Sequence, residues 1–160
     1  MKIVRLTETD AERFRALRLA SLREAPDAFG STANEVAARP PEVWIDQLRT
    51  LPTFVAVDEG RDVGLVRGAP HDTLPGVAYL ISMWVAPEAR GRGAGDALIK
   101  AVIDWAQGVG YVRLVLDVGD DNPAAIALYE RNGFHPNGER SVLDPPRQHI
   151  TEHQRELRFR

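Results

Sequence analysis

The stretch Val85-Ala86-Pro87-Glu88-Ala89-Arg90-Gly91-Arg92-Gly93-Ala94-Gly95 decides how this chain is read. It follows a run of strand-type residues, is punctuated by Pro87, and ends on three alternate glycines that open a helical pattern. Glycine allows left-handed backbone angles and close approach of the main chain to a ligand. The first N–H groups of the helix lack intrahelical acceptors and carry the positive end of the helix dipole. With Arg90 and Arg92 beside them, these groups describe a cradle for a diphosphate. Two phosphate motifs are disfavoured. A P-loop needs Lys-Ser or Lys-Thr after its glycines, and the chain has neither pair. A dinucleotide fingerprint needs G-x-G-x-x-G directly after the first strand of a βαβ unit, whereas this segment spells G-x-G-x-G some way past a mid-chain strand. NAD binding is therefore the weaker reading.

The flanks supply the frame. Val77–Val85 is nearly continuous apolar sequence, the pattern of a strand covered on both faces. After the glycines, Ala94, Ala97, Leu98, Ala101, Val102, Trp105 and Ala106 recur at helical spacing, and Gly108 and Gly110 close the element. Val112–Val118 alternates as a strand, with Asp117 off the Val112/Leu114/Leu116 face. Asn122 is a good N-cap and Pro123 a good first residue for a helix over Ala124–Arg131, which Gly133 stops. Earlier in the chain, Ile3–Leu6 predicts a strand and Asp10–Glu24 a helix burying Phe14, Leu17, Ala20 and Leu22. A helical stretch from Ala33 to Leu51 is broken at Pro40-Pro41, and Thr53–Val57 with Val63–Arg67 reads as a hairpin. Gln154–Phe159 is a final strand. The order β-α-α-β-β-β-α-β-α-β predicts one α/β domain over 1–160, with hairpins early and a β-α-β unit in the middle.

Composition narrows the function. At 160 residues, 44% hydrophobic and 27% charged, the chain has the make-up of an ordinary globular domain. No apolar run approaches the ~20 residues of a membrane span, and no signal-peptide core follows Met1. A cytoplasmic protein without a membrane partner is expected. Zero cysteines exclude a disulfide framework, a zinc ribbon and a Cys nucleophile. The net charge of −3, with arginines scattered, argues against nucleic acid and leans toward cationic acceptors. His149-Ile150-Thr151-Glu152-His153 spells an inverted zinc-protease signature, but Pro145-Pro146 crowd it and no third ligand is in view, so no metal is expected.

The strand, V-x-P-x-x-R-G-x-G-x-G and helix, followed by Asn122–Phe134 (N-P-A-A-I-A-L-Y-E-R-N-G-F), resemble the Gcn5-related N-acetyltransferases, a resemblance covering roughly residues 2–136. Leu17-Arg18, Ala25–Ser31 and Trp44 are similar to the N-terminal half of bacterial members. The resemblance implies a mixed, mostly antiparallel sheet splayed between strands 4 and 5 and flanked by helices, with acetyl-CoA as co-substrate. It implies that the backbone of Met83, Trp84 and Val85 holds the pantetheine. The backbone N–H groups of Gly91, Arg92, Gly93, Ala94, Gly95 and Asp96 would hold the diphosphate, with Arg90 at the start of that loop. Asn122 would bond the pantetheine or orient the loop. Tyr129 would protonate the leaving thiolate as general acid, and Asp117 is the candidate general base. Glu35 would line the acceptor entrance. Without cysteine, direct transfer to a primary amine in a ternary complex is expected, the amine being a small molecule or a peptide end. The alternative is a non-catalytic acyl-CoA-binding sensor or regulatory module. A homodimer through an exposed last strand is a further expectation.

Overall fold

The computed structural model describes residues 1–159. Seven strands form one sheet: β1 (Lys2–Arg5), β2 (Thr53–Asp58), β3 (Arg61–Pro70), β4 (Val77–Val85), β5 (Arg113–Gly119), β6 (His135–Val142) and β7 (Thr151–Arg158), in the spatial order β1-β2-β3-β4-β5-β7-β6. Five helices accompany them: α1 (Ala11–Glu24), α2 (Ala33–Ala37), α3 (Pro41–Thr50), α4 (Ala94–Val109) and α5 (Pro123–Arg131). All ladders are antiparallel except β4 with β5. The expected α/β architecture, a mostly antiparallel sheet opened between β4 and β5, is the one observed.

Helices cover both faces of the sheet. On one, Phe14 of α1 packs edge-on against Trp44 of α3, with ring centroids 5.2 Å apart, and Leu22 and Val36 complete a buried layer. On the other, α4 lays Leu98, Ile99, Val102 and Ala106 on the strands, all fully buried. Gly68 marks that face of β3, because a Cβ there would lie 2.5 Å from the Trp105 ring. Its neighbour Arg67 points to the opposite face, its guanidinium carbon 4.8 Å from the Phe14 ring centre.

Three features position the site. First, β4 pairs with β5 only over Val77–Tyr79, so the β5-facing edge of β4 from Leu80 to Val85 carries no ladder partner among the described residues. Second, the β3–β4 register slips between Leu65/Trp84 and Arg67/Ile81, and Ser82 sits at a φ of +59°, a left-handed angle rare outside glycine. This bulge turns the end of β4 away from β5. Third, Gly93 caps α4 at a φ of +88°, and Gly91 before it stands at +77°.

Four expectations need correction. β6 was not foreseen: Pro136, Asn137 and Gly138 break the alternation, and the strand runs through an irregular register against β7. The last strand, β7, lies between β5 and β6 and is paired on both sides, so the exposed edge belongs to β6. On α1 the core face carries Arg18, Leu19 and Ser21 besides Phe14, Leu17 and Leu22, and Ala20 is exposed. Val77–Val85 is not covered throughout, because Tyr79, Ile81, Ser82, Met83 and Val85 open onto the cleft described next.

Candidate active site

A cleft of about 1220 Å³ opens where β4 and β5 part. Its walls are the unpaired end of β4, the loop entering α4, the end of β5, one side of α5 and the segment Ala25–Ser31 that follows α1. Arg147, in the β6–β7 connection, ties that segment down: its guanidinium donates to the carbonyls of Pro26 (2.7 Å), Phe29 (2.5 Å) and Gly30 (2.9 Å).

The glycines of the α4 entry divide their work. At Gly91 and Gly93 a Cβ would meet nothing within 4 Å, so these positions combine left-handed angles with open space in front of the backbone. Gly95 serves contact, since a Cβ there would lie 2.9 Å from Leu128 of α5. Such a loop offers its N–H groups and the α4 N-terminus to an anion, which fits the diphosphate of acetyl-CoA. The extended, unpaired backbone of Met83–Val85 fits an amide-bearing chain such as pantetheine, laid along it like a strand.

The remaining expected residues are placed as follows. Met83, Trp84, Val85, Arg90, Gly91, Gly93, Ala94, Gly95, Asp96, Asn122, Tyr129 and Asp117 all line the cleft. Arg92 does not; it pairs with Asp58 at 2.7 Å. Arg90 is also engaged, its Nε donating to the Val85 carbonyl (2.9 Å) and its Nη2 to Glu24 (2.8 Å). Asp96 accepts from Arg131 and Asn132, and these bonds hold its carboxyl below the usual range. Asn122 caps α5, its Oδ1 accepting from the N–H of Ala125 at 3.3 Å. Glu35 is not in the cleft wall; it closes a capping box with Thr32 at the start of α2.

Tyr129 is buried, with its ring 6.1 Å from that of Phe134, yet it borders the cleft. Its hydroxyl has no hydrogen bond among the described residues, and burial pushes its pKa well above the ordinary value. The phenol is therefore a neutral donor at physiological pH. Asp117 at the end of β5 has its carboxyl raised by loss of hydration, partly offset by a hydrogen bond from Gln154. Glu152 of β7, opposite Gly119 in register, is raised by burial and then by the nearby Asp117 charge. Burial thus makes both carboxylates in this cleft more basic than solvated ones, as a proton acceptor requires.

Sequence reasoning missed Glu152 and three arginines that line the same cleft, Arg18, Arg39 and Arg67. The signal was present for two of them. Arg18 lies at i+4 from Phe14 and i−4 from Leu22 on an apolar helix face, and Arg67 interrupts a β-branched run. His149 and His153 fall in a turn and on β7, not on one helix, and no group of three potential metal ligands occurs among the described residues.

The fold and this cleft define an acyltransferase-type architecture, and the comparisons with known proteins give the family. Residues 14–134 match the acetyltransferase (GNAT) family model, and the chain belongs to that family. It is 33% identical over 132 residues to mycothiol acetyltransferase of Pseudarthrobacter chlorophenolicus, a match covering 78% of this chain and 39% of that protein. It is 38% identical over 77 residues to L-2,4-diaminobutyric acid acetyltransferase of Nocardia farcinica, covering 48% of this chain and 40% of that protein. The chain thus spans about two fifths of the length of these relatives. Among solved structures, ribosomal-protein-alanine N-acetyltransferase from Brucella melitensis superposes with a TM-score of 0.78 at 23% identity, covering 99% of this chain and all of that one. YncA of Salmonella typhimurium, solved with its cofactor acetyl-CoA, gives 0.74 at 22% identity, covering 99% and 93%. Both likenesses speak to the fold.

Proposed function

We propose that this chain transfers an acetyl group from acetyl-CoA directly to a primary amine. The observation that carries the reading is one continuous cleft holding a glycine cradle at the start of α4, an unpaired strand edge at Met83–Val85 and a buried, neutral Tyr129. The acetyltransferase names of its relatives support it.

In this reading the N–H groups from Gly91 to Asp96 bind the diphosphate, and the backbone of Met83–Val85 orients the pantetheine. Bound acetyl-CoA supplies an activated acetyl carbon. The acceptor ammonium gives a proton to Asp117, directly or through water, burial having raised the basicity of that carboxylate. The freed amine forms the new N–C bond as the C–S bond breaks, Tyr129 delivers its proton to the departing thiolate, and the second proton shed by the new amide nitrogen returns, directly or through water, to the Tyr129 phenolate. Asn122 holds the start of α5, and so Tyr129, in place. Arg90 and Arg92 act by shaping the loop rather than by touching phosphate, because each already has a protein partner.

The test is thermal stability with saturating acetyl-CoA, CoA and NAD, followed by thiol release with an amine panel. A ligand at ~100 times its dissociation constant adds about 2.7 kcal/mol to stability. For a chain of this size that is roughly 5–10 °C. Stabilisation by acetyl-CoA and CoA but not by NAD is expected. No shift with any of them defeats the assignment, and binding without turnover on any amine leaves the sensor reading in its place.

A further inference from the structure

The wall of the cleft on the α1 face of the sheet is cationic in an unusual way. Arg67 is 6% exposed and Arg18 8%, and both border the cleft. Arg39, half-buried in the connection between α2 and α3, stands with them. None of the three forms an ion pair among the described residues. Arg67 uses its Nε on the Thr53 hydroxyl (3.3 Å), while its Nη2 is buried with no partner. Arg18 reaches only the Ser21 hydroxyl, at 3.4 Å. Aromatic rings fix both planes: Arg67 lies over Phe14 at 4.8 Å and Arg18 over Phe29 at 4.6 Å.

Buried guanidinium groups cost free energy unless paired, and clustering like charges adds to that cost. Here burial, then the neighbouring arginines, lowers both Arg18 and Arg67 to about 10. They remain charged at neutral pH. Core packing does not require such a cluster, since apolar side chains would fill the same volume without the charge. An oxyanion would remove the repulsion, and the planar fork of arginine matches it in geometry. The diphosphate is already provided for at the start of α4, which leaves this second cationic wall of the same cleft for the acceptor. Asp117 and Glu152, the partners suited to an ammonium, line the same cleft.

Resting on the acetyl-transfer reading above, we infer that the acceptor is an amine that also carries an oxyanion, a carboxylate or a phosphate, and that Arg18, Arg39 and Arg67 bind that group while Asp117 and Glu152 receive the amine. The low overall charge had pointed to polycationic acceptors. The local arrangement reverses that preference.

Matched pairs test it: lysine against cadaverine, γ-aminobutyrate against butylamine, and O-phosphoethanolamine against ethanolamine. Each is assayed by thiol release with acetyl-CoA and by melting of the CoA-saturated protein. Charge-assisted bonds predict an advantage of about 10- to 100-fold in kcat/KM or affinity for an anionic member over its partner. The first two pairs against the third separate carboxylate from phosphate. Arg67→Gln and the less buried Arg39→Gln should shrink the preference while leaving acetyl-CoA affinity unchanged, which also shows that each variant is folded. The inference is overturned if the neutral or dicationic members are equal or better, if no member of any pair is turned over or shifts the melting point, or if the preference survives in both variants. Failure of acetyl-CoA to bind the unaltered protein would instead defeat the acetyl-transfer reading itself.

Discussion

Arg90 and Glu24, 66 positions apart in sequence, are joined by a forked contact in which Nη2 of the arginine donates to both carboxylate oxygens at 2.8 and 3.2 Å. Trp84 adds a bond from its Nε1 to the same carboxylate at 3.1 Å. The end of α1, the bulged end of β4 and the glycine loop are thereby locked to one carboxylate. Both ionic partners are partly solvated, so the pair itself is worth only about 0.2–1 kcal/mol. Glu24→Gln and Arg90→Gln should therefore weaken acetyl-CoA binding by similar, modest factors, about 2- to 5-fold by titration calorimetry. A loss confined to Arg90→Gln, with a steep salt dependence, would show that the guanidinium contacts phosphate directly.

The three glycines should respond differently to alanine. At Gly93 and Gly91 the penalty is the left-handed angle, about 1–2 kcal/mol each, and it falls on the loop proposed to bind the diphosphate. At Gly95 the added methyl would overlap Leu128, an overpacking cost of about 1–3 kcal/mol. Gly95→Ala should lower the melting temperature of the unliganded protein, whereas Gly93→Ala should chiefly lower acetyl-CoA affinity. Melting curves with and without the ligand separate the two.

Tyr129→Phe should reduce kcat by about 10²- to 10⁴-fold if the phenol is the general acid. Because its hydroxyl has no partner among the described residues, removing it leaves no orphaned group. The melting temperature should stay the same or rise slightly. Full turnover in this variant would remove the role.

Asp117 gives a prediction in which stability and activity move in opposite directions. Its folded pKa is raised, first by loss of hydration, so between the ordinary carboxylate value and the raised one the folded state holds more protons than the unfolded. Stability therefore falls as pH rises through that window, and above it the ionised carboxylate is a standing cost. Asp117→Asn should melt higher than the parent at pH 7 and no higher at pH 3. In the proposed role of base Asp117 must be ionised, so kcat/KM should rise with pH through the same window, along a limb displaced above the normal carboxylate value. Asp117→Asn should lose most turnover. Glu152→Gln should leave that limb in place, because loss of hydration raises Asp117, whereas the Asp117 charge acts on Glu152.

Much of this molecule was determined by local sequence. The 3.6-residue period of Ala94–Ala106, the Asn122-Pro123 start of α5 and the glycines at 91, 93 and 95 are chain-local signals, because hydrogen bonds within a helix and backbone angles at a turn depend on near neighbours. The glycine loop and the helix that carries Tyr129 were legible for that reason, whereas the role expected of Tyr129 came from the family resemblance. Strand β6 was not, since His135–Val142 has little apolar alternation and is a strand only because β7 offers it a ladder. Glu152 joins Asp117 only because β7 pairs with β5 in a register that sets it opposite Gly119. Arg18, Arg39 and Arg67 come from a helix, a loop and a strand, and no spacing along the chain encodes their convergence. Short-range chemistry thus determined the glycine loop and the helices it joins, while the arginine wall and the Asp117–Glu152 pair, assembled by long-range packing and register, were decided only when the sheet closed around the cleft.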